Sequence, residues 1–240
     1  MVLGLRVAPV FSFAPPFTLM RVPLLFRVLF GLALSAGLAA AYPKAGMLGD
    51  TSLAAALPAA ARELGLGLVF VLAFNLSFAA LQFAGRVVDI QAGFGLAAVI
   101  DPVTKSQMPL IGTLFAYATG AMFFAFDGHL ELLKLFGASL DAVPLGAWSM
   151  PHSIARLTAF ISVSFLAAFG VAASAILALF LIDLAIAFLS RTVPQMNVLV
   201  FGFQVKTIAL LLVLPTSFGF GGVLLTRMAA TMLQAIPRLI

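Results

Sequence analysis

The chain has 240 residues, of which 63% are hydrophobic and only 9% carry a charge. A soluble domain has roughly 45–50% apolar and about 25% charged residues, so this composition excludes an ordinary soluble globular protein. The net charge is +5, but the basic residues are scattered singly, which argues against a nucleic-acid-binding surface. The absence of cysteine excludes disulfides, thiolate catalysis and cysteine-ligated metal sites. The composition therefore predicts a membrane-associated, all-α protein.

The charged residues divide the chain into apolar segments, because a charge at the centre of a spanning helix costs about 2.5–3.5 kcal/mol. About 20 apolar residues are needed to cross a bilayer. Six uncharged intervals are candidates; in chain order they are residues 7–20, 28–43, 64–85, 106–126, 157–182 and 207–226. The first two are marginal in length, and the other four are long enough to cross. We therefore expect about six apolar helices. Pro9, Pro15 and Pro16 interrupt the first run, which we interpret as a spanning or half-spanning element and not as a cleaved signal peptide.

The distribution of lysine and arginine gives no orientation. In a six-span arrangement, seven basic residues fall on one side of the membrane and six on the other, whereas a conventional multi-span protein has a cytoplasmic excess. We therefore expect some apolar segments to form broken helical hairpins packed against other protein. Two of the connections are expected to contain structure of their own. Residues 44–62 are interpreted as a surface turn with a short helix, and residues 127–156 are interpreted as an amphipathic segment at an interface.

A search for catalytic motifs finds one match, the G-x-G-x-x-A pattern at residues 93–98. This pattern binds dinucleotides when it lies between a strand and an uninterrupted helix, whereas Asp101-Pro102 follows almost at once. His129 and His152 have no acidic partner at a metal-ligand spacing. We therefore expect no enzymatic activity, no cofactor and no metal.

Asp183 is the clearest charge within a long apolar run, residues 157–190. Charges in spanning segments generally pair, so we interpret Asp183 as a structural or interfacial residue with a partner such as Arg191 or another subunit. A proton relay would need carboxylates or histidines in neighbouring spans, and those spans contain none. One alternative remains a small multi-span ion-coupled transporter with Asp183 as the coupling group. Another is a lipid-modifying membrane enzyme, for which the sequence offers no paired acid, base and nucleophile.

Residues 85–109, GRVVDIQAGFGLAAVIDPVTKSQMP, combine an apolar helix with two glycines, a bulky apolar patch and an Asp-Pro break. Glycine weakens a helix and proline disfavours helical geometry at the preceding residue. Apolar loops at membrane depth are tolerated only against protein or a cavity, so the segment is either a packing loop or a gate that seals by a hydrophobic constriction. The residues of the expected plug are Gly93, Phe94, Gly95, Leu96, Val99, Ile100, Asp101 and Pro102.

Several motifs, in this order, resemble the FliR family of flagellar biosynthesis proteins, whose counterpart in virulence type III secretion is SctT. The first motif is Leu5-Arg6 with Ala14-Pro15, Arg21 and Pro23, and the second is Glu63-Leu64-Gly65-Leu66-Gly67. The central motif runs from Gly85 to Gln91 and continues with Gly93 and Asp101-Pro102. The last two motifs are Asp127-Gly128-His129 with Ser139 and Pro144, and Arg191 to Asn197 with Phe201-Gly202 and Lys206. Family members usually carry a longer stretch before the first arginine, so we expect half of the first helix to be absent. Phe203-Gln204 follows Gly202 where proline is common, which we expect to change a local bend.

The resemblance implies a single non-enzymatic domain over residues 1–240, similar to FliP in its first part and to FliQ in its C-terminal hairpin, with a plug loop at about residues 92–108. It also implies that one copy joins several copies of FliP and FliQ and contacts FlhB, in the bacterial inner membrane at the flagellar basal body. Unfolded flagellar proteins would thread through this export gate. The expected assembly interface comprises Asp183, Arg191, Pro194, Gln195, Asn197 and Lys206. Within it, we expect Pro194 to end one helix and the side chains of Gln195 and Asn197 to bond the backbone groups that this break leaves free.

Overall fold

The computed structural model describes residues 2–43, 53–94, 109–148, 154–193, 197 and 200–216. Across these ranges the regular structure is helical and contains no strand. The helices are α1 Gly4–Phe13, α2 Leu24–Ala41, α3 Leu53–Ala92, α4 Leu110–Ala125, α5 Gly128–Ala142, α6 Ile154–Thr192 and α7 Val200–Thr216. The expected all-α, membrane-associated class is confirmed.

Among the described residues, three helices are long and apolar enough to cross a bilayer: α2 and the stretches Ala54–Ala92 of α3 and Thr158–Thr192 of α6. Helices α4 and α5 could together form a fourth span, although they are bent by 71° at the break between them. Within the described ranges, α1 and α7 are shorter apolar helices. The six charge-bounded intervals therefore do not correspond to six straight spans.

We expected charged residues to bound the apolar helices, but the long helices continue through them. Helix α3 has 40 residues and contains Arg62, Glu63, Arg86 and Asp89. Residues 44–62 were interpreted as a turn with a short helix, but from Leu53 onward this stretch is the first part of α3. A charged side chain that finds a partner inside the protein, or reaches the membrane surface, allows the helix to continue.

Proline explains where α1 ends. The helix includes Pro9 and ends at Phe13, and Ala14 is extended with φ −91° and ψ 139°. The ring of Pro15 disfavours helical geometry at the residue before it, so the chain leaves the helix there.

The chain divides into two compact units, and the dividing points fall inside α3, α4 and α6. Among the described residues, the first unit comprises 2–43, 53–78, 120–148 and 154–162. The second comprises 79–94, 109–119, 163–193, 197 and 200–216.

Phenylalanine rings form much of the core of the first unit. Phe136 stacks on Phe70 with a centroid distance of 4.9 Å, and Phe11 lies 6.4 Å from Phe136. Helix α5 is amphipathic as expected, and its apolar face, with Leu132 and Leu140, is buried in the protein.

The second unit contains a close helix crossing. A Cβ atom on Gly85 of α3 would collide with the backbone of Gly112 in α4. These two helices therefore approach each other at positions where neither carries a side chain, which is typical of helix pairs in membranes. Nearby, the ring of Phe83 lies 5.7 Å from Phe165 and 6.0 Å from Phe169.

The spanning helices differ in how much of their surface the chain itself covers. The most apolar 18-residue window is 56% buried in α3, 28% in α6 and only 11% in α2. Phe26 of α2, Leu166 and Phe188 of α6, and Leu212 of α7 are more than half exposed. These helices therefore offer large apolar surfaces to lipid or to other membrane proteins.

Candidate functional site

The start of the expected plug lies at the end of α3. Gly93 has φ +91°, and its N–H donates to the carbonyl of Ile90 at 3.1 Å, which ends the helix after Ala92. A left-handed glycine after the last helical residue is a common C-terminal cap, so the bend expected from this glycine is present. Of the eight expected plug residues only Gly93 and Phe94 are described; Gly95, Leu96, Val99, Ile100, Asp101 and Pro102 lie outside the described residues.

Phe203 packs against this bend. Its ring lies edge-to-face with that of Phe94, at a centroid distance of 6.0 Å and an interplanar angle of 78°. A Cβ atom on Gly93 would lie 3.3 Å from the ring of Phe203. The residue that departs from the family pattern, Phe203, therefore contacts the start of the expected plug.

Lys206 of α7 joins α6 to the end of α3. Its Nζ lies 2.5 Å from Oδ1 of Asp183 and donates to the carbonyl oxygen of Gln91 at 3.1 Å. The side chain of Gln91 donates through Nε2 to the carbonyl of Ile176 at 3.1 Å. Three helices of the second unit thus meet around one ammonium group.

Asp183 is paired within the chain, while the alternative expectation, a partner on another subunit, stays a prediction. Arg191 was named as an example, but the ion pair is with Lys206. On a helix, side chains three or four positions apart are neighbours, whereas residues 183 and 191 lie about two turns apart. Arg191 is exposed in the last turn of α6. The sequence indicated that Asp183 would be paired but not which helix would face it.

Asp89 is a functional candidate that the sequence analysis missed. Its carboxylate is buried and accepts the N–H of Ile111 at 3.0 and 3.1 Å. The first N–H groups of a helix have no partner within the helix, so an acceptor there completes the hydrogen bonding of α4. The acceptor comes from another helix, 22 residues earlier in the chain, and no local capping motif could reveal it.

Arg6 and Glu63 form a fully buried ion pair in the first unit, with both side chains 0% exposed. The guanidinium donates through Nε to Oε2 of Glu63 at 2.6 Å and through NH2 to Oε1 at 2.9 Å. It also donates to the hydroxyl of Ser139 at 3.1 Å and to the carbonyl of Val143 at 3.0 Å, and Glu63 accepts the N–H of Gly146 at 2.9 Å. Both residues belong to the quoted family motifs, but their pairing was not predicted.

The polar block after α6 is described in part. Helix α6 ends at Thr192, two residues before Pro194, as the proline predicts. Asn197 accepts the N–H of Val200 at 3.3 Å and so caps the start of α7, which is the kind of role expected for its side chain. Pro194 and Gln195 lie outside the described residues.

No cluster suitable for a metal ion occurs in the described ranges, where groups of three or more histidines, aspartates or glutamates do not come together. The charged side chains that are described at these sites bond to helix carbonyls, helix amides and each other. Their arrangement holds helices together and presents no paired nucleophile and base.

Comparison with known proteins places these features in a family. The model of the family described as "Bacterial export proteins, family 1" matches residues 1–232. The chain is 37% identical over 150 residues to the flagellar biosynthetic protein FliR of Bacillus subtilis, which is 60% of this chain and 58% of that protein. It is 28% identical over 149 residues to FliR of Escherichia coli, covering 62% and 57% of the two chains. It is 30% identical over 149 residues to the Yop proteins translocation protein T of Yersinia pestis, covering 61% and 57%.

The matches with these relatives therefore cover less than three fifths of the relatives' length. The family match extends much further and includes all seven described helices. The expected membership is confirmed: the chain belongs to family 1 of the bacterial export proteins.

Proposed function

We propose that the chain is a structural subunit of a type III secretion export gate, which conducts unfolded flagellar proteins across the inner membrane during flagellum assembly. The observation that carries the proposal is the family match over residues 1–232. Membership of the bacterial export proteins makes the chain a component of a secretion apparatus. The flagellar role rests on the 37% identity to FliR of Bacillus subtilis, since FliR of Escherichia coli and the Yersinia relative, at 28% and 30%, do not separate the two systems.

The exposed apolar surface supports a role within a larger assembly. Only 11% of the apolar window of α2 and 28% of that of α6 is buried by the chain itself. We propose that homologues of FliP and FliQ, several copies of each around one copy of this chain, cover much of that surface together with lipid, and that an FlhB homologue contacts the same gate. The first part of the chain would then correspond to FliP and the C-terminal hairpin of α6 and α7 to FliQ.

Co-purification tests this assembly. The tagged chain should be recovered from membranes in a stable complex when it is expressed with FliP and FliQ homologues. A chain that is a well-behaved monomer in detergent and binds neither homologue would contradict the proposal. That result would favour the ion-coupled transporter, in which Asp183 would have to leave Lys206 during transport.

We propose that residues 92–102 supply the seal of the channel. A protein-conducting pore has to stay closed to ions when idle, and a narrow apolar constriction achieves this by excluding water. The glycine bend at Gly93 and the packing of Phe94 on Phe203 support a loop that starts at a defined place.

Deletion of residues 93–100, or the double change Leu96→Gly and Val99→Gly, should leave assembly largely intact and make the membrane permeable to small ions. Assembled complexes that remain ion-tight after the deletion would place the seal elsewhere.

We further propose that the block from Asp183 to Lys206 lies at a subunit interface. Its residues are Asp183, Arg191, Pro194, Gln195, Asn197 and Lys206. The double change Gln195→Ala and Asn197→Ala should lower the yield of complex. Ser190→Ala is the matched control, because the Ser190 hydroxyl bonds only to the carbonyl of Ala187 in its own helix among the bonds described. Wild-type complex yield and motility in the double variant would contradict the interface.

A further inference from the structure

In the second unit, helix α3 has one face packed against the chain and one face turned outward. Ala84 and Val88 are completely buried, whereas Gln82, Arg86 and Ile90 follow one another at intervals of about one helical turn and are exposed. All five residues belong to the stretch of α3 that could cross a bilayer. The outward face of an apolar helix therefore carries an arginine and a glutamine.

Arg86 has no counter-charge in the described part of the second unit. Its side chain forms no hydrogen bond or ion pair with any described residue. The described residues of this unit contain two carboxylates, and both are engaged: Asp89 accepts the N–H of Ile111, and Asp183 pairs with Lys206. A guanidinium does not lose its proton in a protein, so Arg86 stays charged and needs a partner from elsewhere.

Contacts with α6 indicate how deep Arg86 lies. The ring of Phe83 lies 5.7 Å from that of Phe165, and the side chain of Gln91 donates to the carbonyl of Ile176 at 3.1 Å. Arg86 lies between Phe83 and Gln91 on α3, so it is level with the part of α6 between these two contacts. That part lies inside the stretch of α6 that could cross a bilayer, away from both ends. Lipid phosphates lie at the surface of a bilayer, so this depth favours a protein partner.

A carboxylate is the group that fits this face. Two N–H groups of a guanidinium can bind both oxygens of one carboxylate in a planar pair. Gln82 lies one turn away, has no described hydrogen bond, and offers an amide of the kind that bonds across helices in membranes. Phe83 and Ile90, 50% and 64% exposed, place apolar surface beside the polar groups. The face therefore suits a helix that is apolar except for one aspartate or glutamate.

We propose that Gln82 and Arg86 bind a carboxylate carried by an apolar helix of a partner subunit. The partner helix packs on Phe83 and Ile90, and its aspartate or glutamate lies opposite the guanidinium. This inference rests on the assembly proposed above, because it requires a partner subunit, and it assigns the chemistry of one contact within that assembly.

Two measurements on Arg86→Gln separate a binding site from a residue that stabilises the chain. In the full chain alone in detergent, the temperature of thermal unfolding should stay the same or rise, because no described bond is lost. On co-expression with FliP and FliQ homologues, the yield of complex should fall on the order of tenfold or more, because a buried carboxylate of the partner loses its counter-charge.

Lys134→Gln is the matched control. It also removes the charge of an exposed basic residue, which lies in the first unit and pairs with Glu131. This variant should leave the yield of complex unchanged. A yield that falls equally in Lys134→Gln and Arg86→Gln would overturn the site, because the loss would then follow from net charge alone.

Charge reversal identifies the partner. Arg86→Glu places two carboxylates opposite each other and should abolish the complex. Each aspartate and glutamate in the apolar helices of the co-expressed homologues is then changed in turn to arginine, and one of these changes should restore the complex with Arg86→Glu. Failure of every such change to restore it would overturn the proposal.

The remaining outcomes distinguish this site from the assembly itself. Full yield of complex with Arg86→Gln would overturn the site and leave the assembly standing, whereas absence of a complex with the unaltered chain would contradict the assembly and the site with it. A lower unfolding temperature of Arg86→Gln alone would show that the arginine serves the fold and would overturn the site. Loss of co-purified phospholipid in Arg86→Gln, with an unchanged yield of complex, would assign Arg86 to a lipid phosphate instead.

Discussion

The two units each contain an ion pair between helices, and the pairs differ in almost every physical respect. Arg6 and Glu63 are completely buried, and their polar atoms are surrounded by further hydrogen-bond partners. Lys206 and Asp183 remain partly exposed, and the ammonium group is shared with one backbone carbonyl. The same interaction type is therefore fully enclosed in one unit and lies at the surface of the chain in the other.

Enclosure by the chain itself distinguishes the two pairs. Removal of one partner from a buried pair leaves an uncompensated charge in a low-dielectric environment, which costs about 3–5 kcal/mol. The side chain of Asp183 is 42% exposed at the surface of the chain and lies in a helix long and apolar enough to cross a bilayer, so its surroundings are not those of a pair in water.

The largest effect should come from Arg6→Met. This change leaves the carboxylate of Glu63 buried with only the N–H of Gly146 as a described partner, and should destabilise the chain by about 3–5 kcal/mol. Thermal unfolding in detergent measures it. The double change Arg6→Met and Glu63→Met should be less destabilising than the single one, because no buried charge remains. A double variant less stable than the single variant would show that the bond from Gly146 to the remaining carboxylate outweighs the cost of its buried charge.

A smaller effect should follow from Gly85→Ala, which tests whether packing or charge holds the second unit. The added methyl group meets the backbone of Gly112, so we expect a loss of about 1–3 kcal/mol from overpacking. Gly37→Ala is the matched control in another apolar helix, since nothing lies within 4 Å of a Cβ atom there. That variant should keep or raise stability, because glycine costs a helix up to about 1 kcal/mol relative to alanine. Equal changes in stability in Gly85→Ala and Gly37→Ala would contradict the close crossing of α3 and α4.

The smallest effect on global stability should come from Asp183→Asn. Its side chain is 42% exposed whereas that of Glu63 is 0% exposed, so we expect a smaller loss than for Glu63→Gln in the buried pair, which should cost about 3–5 kcal/mol. Thermal unfolding of both variants under the same conditions gives the comparison. Similar losses in the two variants would mean that Asp183 is shielded from water in the folded protein and would remove the contrast between the pairs.

The sequence predicted features that depend on neighbouring residues. The helical class, the glycine bend at Gly93, the end of α6 before Pro194 and the capping role of Asn197 each follow from local chemistry. Residues 95–108, which include most of the expected plug, lie outside the described residues, and their sealing role stays a prediction.

The features that the sequence did not predict all join distant residues. Arg6 and Glu63 are 57 positions apart, and Lys206 reaches Gln91 across 115 positions. Apolar periodicity indicates which side chains share a face of a helix, but it does not indicate which helices face each other. Charge-bounded intervals failed as helix boundaries for the same reason: Glu63 continues its helix because its partner is on α1.

The distance in sequence between Arg6 and its partners has a consequence during synthesis. The arginine emerges with the first helix, but Glu63, Ser139 and the carbonyl of Val143 follow only later. Until then, a guanidinium in the apolar helix α1 lacks the acceptors that make its burial tolerable, and it stays near water or a lipid head group. Helix α1 can therefore complete these bonds only once residues 139–146 have left the ribosome, after α2 to α5 have been made.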